Sequence, residues 1–428
     1  MDLSVSTRRR RVARVAAMAL LGGAPSLFAP VSAVAAETPR APDALQVALQ
    51  NAWARHPQAA VVQATLDAAT ARADAASQPL HNPELELSAD DEGTDRTATA
   101  GLGLTLDLSG KRRARSAVGR AELDAATAAA SLQRRDFAQA WLDAWVALRA
   151  ADRRVALGNQ RTDLLARAAD LAVRLFEVGD ISSLDRDFAL LARDEAGADQ
   201  ATRVAERAAA TAAFHTLDRG PTVTLSIPFP DATVADAVVE IDALPELTIA
   251  HARAAAAEAQ VIVAERERIV DPTLSVRGGR IELADGMREN TYGITLTVPL
   301  FVRNSYRAEL AAAMADARAA SADLERNRYE LQARAVRAVT THRAVREAWQ
   351  RWSQSPGTDV EKRSALLERL WRAGELSTSD YLLQLEQTVD TALAGADLEA
   401  RLWASFADYL AATGRLDAWL GFAPTKGE

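Results

Sequence analysis

The sequence predicts a mainly α fold with β, built as two similar halves that each run helix, β-hairpin, long helix, helix. Three observations predict it. Hydrophobic residues make up 49% of the 428, yet aromatics only 5%, and about a fifth of the chain is Ala. Ala favours helix and is too small to fill a wide core, so this composition suits thin helix-on-helix packing. The second observation is a long internal repeat. The third is a set of four short segments that alternate apolar and polar residues.

The repeat shows in three blocks that keep their order. Asn82-Pro83-Glu84-Leu85 answers to Asp271-Pro272-Thr273-Leu274 at an offset of 189, and Gly103-Leu104-Thr105-Leu106 to Gly293-Ile294-Thr295-Leu296 at 190. Arg174-Leu175-Phe176-Glu177-Val178-Gly179 answers to Arg369-Leu370-Trp371-Arg372-Ala373-Gly374 at 195. A period this long excludes a solenoid and means a duplication. The five residues gained before the third block fall where the second half holds Ser353-Gln354-Ser355-Pro356-Gly357-Thr358. Pro-Gly breaks helices, so a local break in a long helix is expected there.

Residues 1–35 read as a secretory signal peptide. Arg8 to Arg11 are basic, Val15 to Phe28 form a short apolar stretch, and Ala33-Val34-Ala35 is a small-x-small cleavage site. The first structural repeat is expected over 36–219, a linker over 220–245, the second repeat over 246–415 and a C-terminal tail over 416–428.

In the first repeat, Leu45 to Gln78 has helical spacing with a break at His56-Pro57, and Pro79 and Pro83 end it. Leu85 and Leu87 then alternate with Glu84, Glu86 and Ser88. A polar turn follows over Asp90 to Asp95. Ala98 to Leu108 puts Leu102, Leu104, Leu106 and Leu108 on one face and Gly101, Gly103, Thr105 and Asp107 on the other. The second repeat does the same from Leu274 to Leu283 and again from Tyr292 to Val298. From Lys111 to Phe176 there is no Pro, and at 1.5 Å per residue such a helix approaches ~100 Å. Leu164, Ala168, Leu171 and Leu175 mark its seam. A second helix starts at Ser182 or Ser183, both good N-caps, with Leu184, Phe188 and Leu191 on one stripe. Leu382, Leu385, Val389, Ala392 and Ala396 form the matching seam of the second half.

The strands have about the length of membrane-spanning ones, 9–11 residues. Dyad alternation alone also fits a soluble hairpin packed on helices. If they do lie in lipid, four strands cannot close a barrel, and open edges leave backbone groups unpaired at several kcal/mol each. Several chains must then share one barrel, and three would supply about twelve strands.

The order of elements, the duplicated halves and the two turns at Gly179 and Gly374 resemble the TolC-like outer-membrane efflux protein family. The resemblance covers nearly all the chain after the signal segment. The Asn82-Pro83-x-Leu85 opening and the Leu106-Asp107-Leu108-Ser109-Gly110-Lys111-Arg112 run are similar to its heavy-metal, CzcC-like branch. Ser109 stands where that branch usually has a first Gly. The resemblance implies a homotrimer with a shared transmembrane β-barrel and a trimeric α-barrel tunnel through the periplasm. It also implies a periplasmic adaptor (membrane fusion) protein and a proton-driven, RND-type inner-membrane pump as partners, with outer-membrane lipid around the barrel.

The turns Gly179-x-x-Ser182-x-x-Asp185 and Gly374-x-x-Ser377-x-x-Asp380 resemble the periplasmic tips of that family. Gly permits the sharp reversal and Ser caps the next helix. An acid there in each of three chains makes a ring that attracts cations. By the resemblance, Asp380 is the tunnel-entrance acid and Asp185 its neighbour, while Gly179, Ser182, Gly374 and Ser377 are candidate adaptor contacts. A bland role also fits both acids, since carboxylates stabilise first helical turns. Relatives with a second acid one turn on, or a basic residue two after the second Gly, differ here: those positions are Leu383 and Leu376.

No catalytic constellation, cofactor motif or metal-ligand spacing stands out, so the chain is not expected to be an enzyme. The absence of Cys excludes disulfides, thiolate metal sites and a thiol nucleophile within it. His56, His81, His215, His251 and His342 are scattered. Net charge −8 argues against nucleic acid. Lys111-Arg112-Arg113-x-Arg115 is expected as a solvated or headgroup-facing girdle, and the Trp residues as helix packing. The expected function is a passive outer-membrane export duct, with divalent heavy metals as cargo. Drug efflux, type I protein secretion and a periplasmic coiled-coil adaptor or scaffold are the alternatives.

Overall fold

The structure is a computed structural model and describes residues 40–93, 95–220, 241–283, 285–355 and 360–422. The expected signal segment lies outside the described residues, as does most of the linker. The elements run α1 (Asp43–Arg55), α2 (Pro57–Ser77), β1 (Glu84–Asp91), β2 (Arg96–Thr105), α3 (Lys111–Glu177) and α4 (Ser183–Leu217). After a 3-10 turn at Ile241–Ala243 come α5 (Pro245–Glu267), β3 (Thr273–Glu282), β4 (Arg288–Thr297), α6 (Arg307–Ser353), α7 (Val360–Arg372), α8 (Thr378–Ala412) and α9 (Leu416–Trp419). The His56-Pro57 break is present, because Pro57 takes the first helical position and His56 Nδ1 accepts from the Gln58 N–H at 3.2 Å. The second-half break also falls where expected, between α6 and α7, though residues 356–359 lie outside the described set.

The 67 residues of α3 give it a length of about 100 Å. It is the spine: α2, α4, α5 and α8 all pack along it. Small residues set how closely they approach. Ala168, Ala169 and Ala172 of α3 meet Ala189 and Ala196 of α4, and all are essentially solvent-free. α4 therefore turns its alanine face inward. Its Leu184–Phe188–Leu191 stripe, one face as the spacing indicated, points away from this chain and is exposed. Closing on alanine brings α4 nearer the spine than a leucine stripe could.

The wider core gathers where α1, α8 and α9 meet the middle of α3. Trp141, Trp145, Trp403, Phe406 and Trp419 share it with Leu45 and Leu49. The Trp residues are packing residues, as the sequence suggested. Each large apolar side chain moved out of water there contributes about 1.5–3 kcal/mol. Residues from 416, expected as a tail, begin with α9, whose Leu416 and Trp419 are buried together with the following Leu420. The Ala41 N–H donates to the Trp419 carbonyl at 2.8 Å, which ties the two ends of the described chain. Arg135, 3% exposed, holds Glu246 through two hydrogen bonds of 2.8 and 2.6 Å and joins the spine to the start of α5. Such a bidentate pair fixes orientation more than it adds stability.

The two hairpins form one antiparallel sheet in the order β1-β2-β3-β4. The seam between the halves is β2–β3, with Leu102 opposite Val276 and Gly103 opposite Ser275. β2 begins two residues earlier than the sequence suggested, at Arg96, and ends at Thr105 rather than Leu108. Beyond Thr105 the chain turns aside to build the cap of α3.

Candidate functional site

Residues paired across neighbouring strands point to the same face of a sheet. Leu85, Leu102, Val276 and Ile294 form one such row, and Leu104, Leu274 and Leu296 another. This is the exposed face: Leu102 is 61% exposed, Ile294 77% and Tyr292 82%. The opposite face carries Gly101, Gly103 and Ser275, and these are buried. The burial order is thus the reverse of a water-soluble sheet, which hides its leucines. Among the described residues no helix packs across the apolar face, and β1 and β4 are open edges.

The glycines of the polar face have a steric role. Arg277 stands between Gly101 and Gly293 in one row. A Cβ at Gly101 would lie 3.1 Å from the Arg277 Cβ, and one at Gly293 2.8 Å from its Nε. Glycine on both flanks lets that side chain lie flat across the strands. At Gly279 an added Cβ would fall on the Ala98 carbonyl oxygen, so the seam closes there only around glycine.

Below the sheet, the junction to the helices is tied by residues whose role sequence reasoning missed. The Asp107 carboxylate accepts from the backbone N–H groups of Gly110 (2.8 Å), Lys111 (2.9 Å) and Arg112 (2.9 Å). Burial works against its charge, and these three donors outweigh burial, so its pKa sits below the ordinary carboxylate range. Asp271, seen in the sequence only as a repeat match, receives Lys111 Nζ at 2.7 Å. Lys111, 14% exposed, is therefore an internal tether between the halves rather than part of a headgroup-facing girdle. An Asp three residues before Gly110 and four before Lys111, the first helical residue, was the available signal for the cap.

At the far end of the spine the two expected tips come together on one apolar cluster, with Ile181 and Leu376 packed against Leu164, Trp371, Tyr381 and Leu385. Gly179 and Gly374 have φ of +86° and +73°, the left-handed region that the reversal needs. Ser182 and Ser377 are the N-caps of α4 and α8 and accept from the Asp185 and Asp380 N–H groups at 3.2 and 3.1 Å. Both acids take a hydrogen bond from their Ser Oγ at 2.7 Å. Asp185 is half-buried and Asp380 exposed. Within one chain the Asp185 carboxylate also accepts the Ser182 N–H at 3.3 Å and completes a capping box, whereas the Asp380 carboxylate meets only the Ser377 hydroxyl among the described residues.

The tips differ in what covers their aromatic residue. Arg186 lies over the Phe176 ring at 4.3 Å. The equivalent second-half pair is Tyr381 stacked on Trp371 at 4.5 Å, with the Trp371 indole N–H donating to Thr378 Oγ1 at 3.3 Å. Burial, then the Glu368 charge, pushes the Tyr381 phenol up to about 12. The described residues hold no cluster of three or more His, Asp or Glu placed to bind a metal ion. None of their helices is long and apolar enough to cross a membrane.

No protein-family model matches the chain. The cobalt-zinc-cadmium resistance protein CzcC of Cupriavidus metallidurans is 27% identical over 241 residues, which cover 53% of this chain and 56% of that protein. The match thus spans about half the length of that relative. Among solved structures, the outer membrane protein VceC of Vibrio cholerae superposes with a TM-score of 0.70 at 19% identity, over 87% of this chain and 96% of that one. A membrane protein of Pseudomonas aeruginosa gives 0.73 at 19% identity, over 91% and 99%. CusC gives 0.74 at 13% identity, over 88% and 93%. These likenesses establish the fold as the TolC-like one of outer-membrane channels.

Proposed function

We propose that the chain is the outer-membrane channel of a tripartite efflux system. Three copies share a twelve-stranded barrel in the outer membrane, and their helices continue into the periplasm as a tunnel. The observation that carries this reading is the inverted sheet: leucine rows exposed on one face, Gly101, Gly103 and Ser275 buried on the other, both edges open. Lipid outside and water inside is the solvent pair that makes such a sheet stable. The exposed Leu184–Phe188–Leu191 stripe supports the same assembly, since a neighbouring subunit gives it an apolar partner.

The duct is passive. It docks through a periplasmic adaptor, at the Gly179/Ser182 and Gly374/Ser377 tips, to a proton-driven RND-type pump that selects the cargo. Divalent heavy-metal cations are that cargo, a reading supported by the resemblance to CzcC. Loss of the gene then raises sensitivity to Co, Zn or Cd. Unchanged metal tolerance with new drug sensitivity would reassign the cargo and leave the duct intact. Recovery of the full chain in soluble periplasm without detergent would refute the duct itself.

At the tunnel entrance Asp380, exposed in each subunit, forms the cation-attracting ring, with Asp185 beside it. In planar bilayers Asp380→Ala weakens block by trivalent cations. Block equal to that of the unmodified channel would remove Asp380 from this role.

A further inference from the structure

The apolar face of the sheet ends abruptly near the hairpin turns. Its last rows read Ala98, Arg280, Asn290 and then Asp91, Arg96, Glu282, Arg288. Strict pairing puts Arg96, Arg280 and Arg288 on the same face as Leu102 and Ile294. Two residues of strand, about 7 Å, separate apolar from charged rows. Arg96 pairs with Asp91 at 3.2 Å and Arg288 with Glu282 at 3.3 Å, both in exposed positions. Arg280 is exposed and makes no ion pair among the described residues. A shallow cleft of about 420 Å³ there is lined by these three guanidiniums and by three carboxylates, Asp91 and Glu282 on the apolar face and Asp90 on the other, so that Arg280 is the guanidinium left without an acidic partner among the described residues.

We propose that this rim binds the phosphate groups of membrane lipids whose acyl chains lie against the leucine rows below it. The proposal rests on the reading of that face as lipid-facing. Its specific content is the ligand: an acyl lipid with an anionic phosphate headgroup. A guanidinium plane pairs in two hydrogen bonds with phosphate and carboxylate alike, but a phosphate monoester brings more charge and a third acceptor oxygen, enough to engage a second guanidinium. A free phosphate ion would use only the upper rows, whereas a phosphorylated lipid covers the charged and the apolar rows with one molecule. Arg280 is the free donor, and Arg96 and Arg288 exchange part of their acidic contact for the headgroup.

The test uses the purified full chain in phosphatidylcholine vesicles, alone or mixed with phosphatidic acid or with oleate. Protease protection of the strands reports insertion. Native mass spectrometry after detergent extraction counts retained lipid. Phosphatidic acid is expected to be retained in preference to both phosphatidylcholine and oleate. Arg280→Gln, which removes no ion pair, is expected to lower that retention about tenfold, the size of one charge-assisted hydrogen bond. Arg280→Lys should recover part of it. Equal retention by the unmodified chain and Arg280→Gln, or equal retention of oleate, overturns the proposal. So does phosphatidic-acid retention that inorganic phosphate abolishes, because the ligand is then the ion alone. Strands that are digested in every vesicle refute the lipid-facing reading as well. Protected strands without lipid preference refute the rim alone.

Discussion

His342 sits in α6 with no solvent exposure, stacked on Tyr409 (5.6 Å between centroids), near Phe406, and 3.0 Å from Ser405 Oγ through Nδ1. Burial, and then the Arg346 charge, pushes its pKa down from 6.5 to about 4. The unfolded chain therefore takes up a proton first as pH falls through about 6.5, while the folded chain resists until about 4. Above that window His342 contributes no pH dependence. Within it the folded state loses about 2 kcal/mol per chain by pH 5 and about 3 by pH 4, and the loss levels off between about 3 and 4 kcal/mol below that. Replacing the imidazole with an amide, His342→Gln, removes the titration and keeps a polar partner for Ser405. The assay is urea unfolding of the detergent-solubilised protein at about pH 7.5 and about pH 5, for both proteins. Other groups titrate in both and cancel in the difference of differences. The variant should show a pH-dependent loss smaller by about 2 kcal/mol. Equal losses would show that the helices open to let the proton in, and the burial argument would fail.

Four further substitutions probe the sheet and its junction. Ile294→Arg should cost about 2–4 kcal/mol of insertion stability, while Thr295→Arg, one residue on and facing the other side, should cost little; equal urea sensitivity of the two in vesicles would mean the faces are misassigned. Gly279→Val should abolish assembly because its Cβ meets the Ala98 carbonyl oxygen, and a normal yield of detergent-stable oligomer would refute the close seam. Asp107→Ala removes the acceptor of three N–H groups and should weaken the start of α3 by about 1–2 kcal/mol. Hydrogen exchange at Lys111 and Arg112 should speed up about tenfold, and unchanged exchange would mean the cap is supplied otherwise.

Much of this protein is written in local patterns. The α3 span from Lys111, the His56-Pro57 break, the Ser182 and Ser377 caps and the four alternating segments each depend on residues near one another in the chain, and the duplication is the same local pattern written twice. Spacing and capping chemistry act at that range, so the sequence alone determined them. It did not determine which side of each alternation meets solvent. That required the β2–β3 register, which sets Leu102 against Val276 and exposes both. Nor could it tell that α4 would close on Ala189 and Ala196 and leave Leu184 and Phe188 outside. The Lys111–Asp271 tether joins residues from different halves, and Leu416 and Trp419 find their core only once α1 and α3 are in place. Burial and long-range ion pairs are properties of surfaces brought together by folding, so only the tertiary structure decided them.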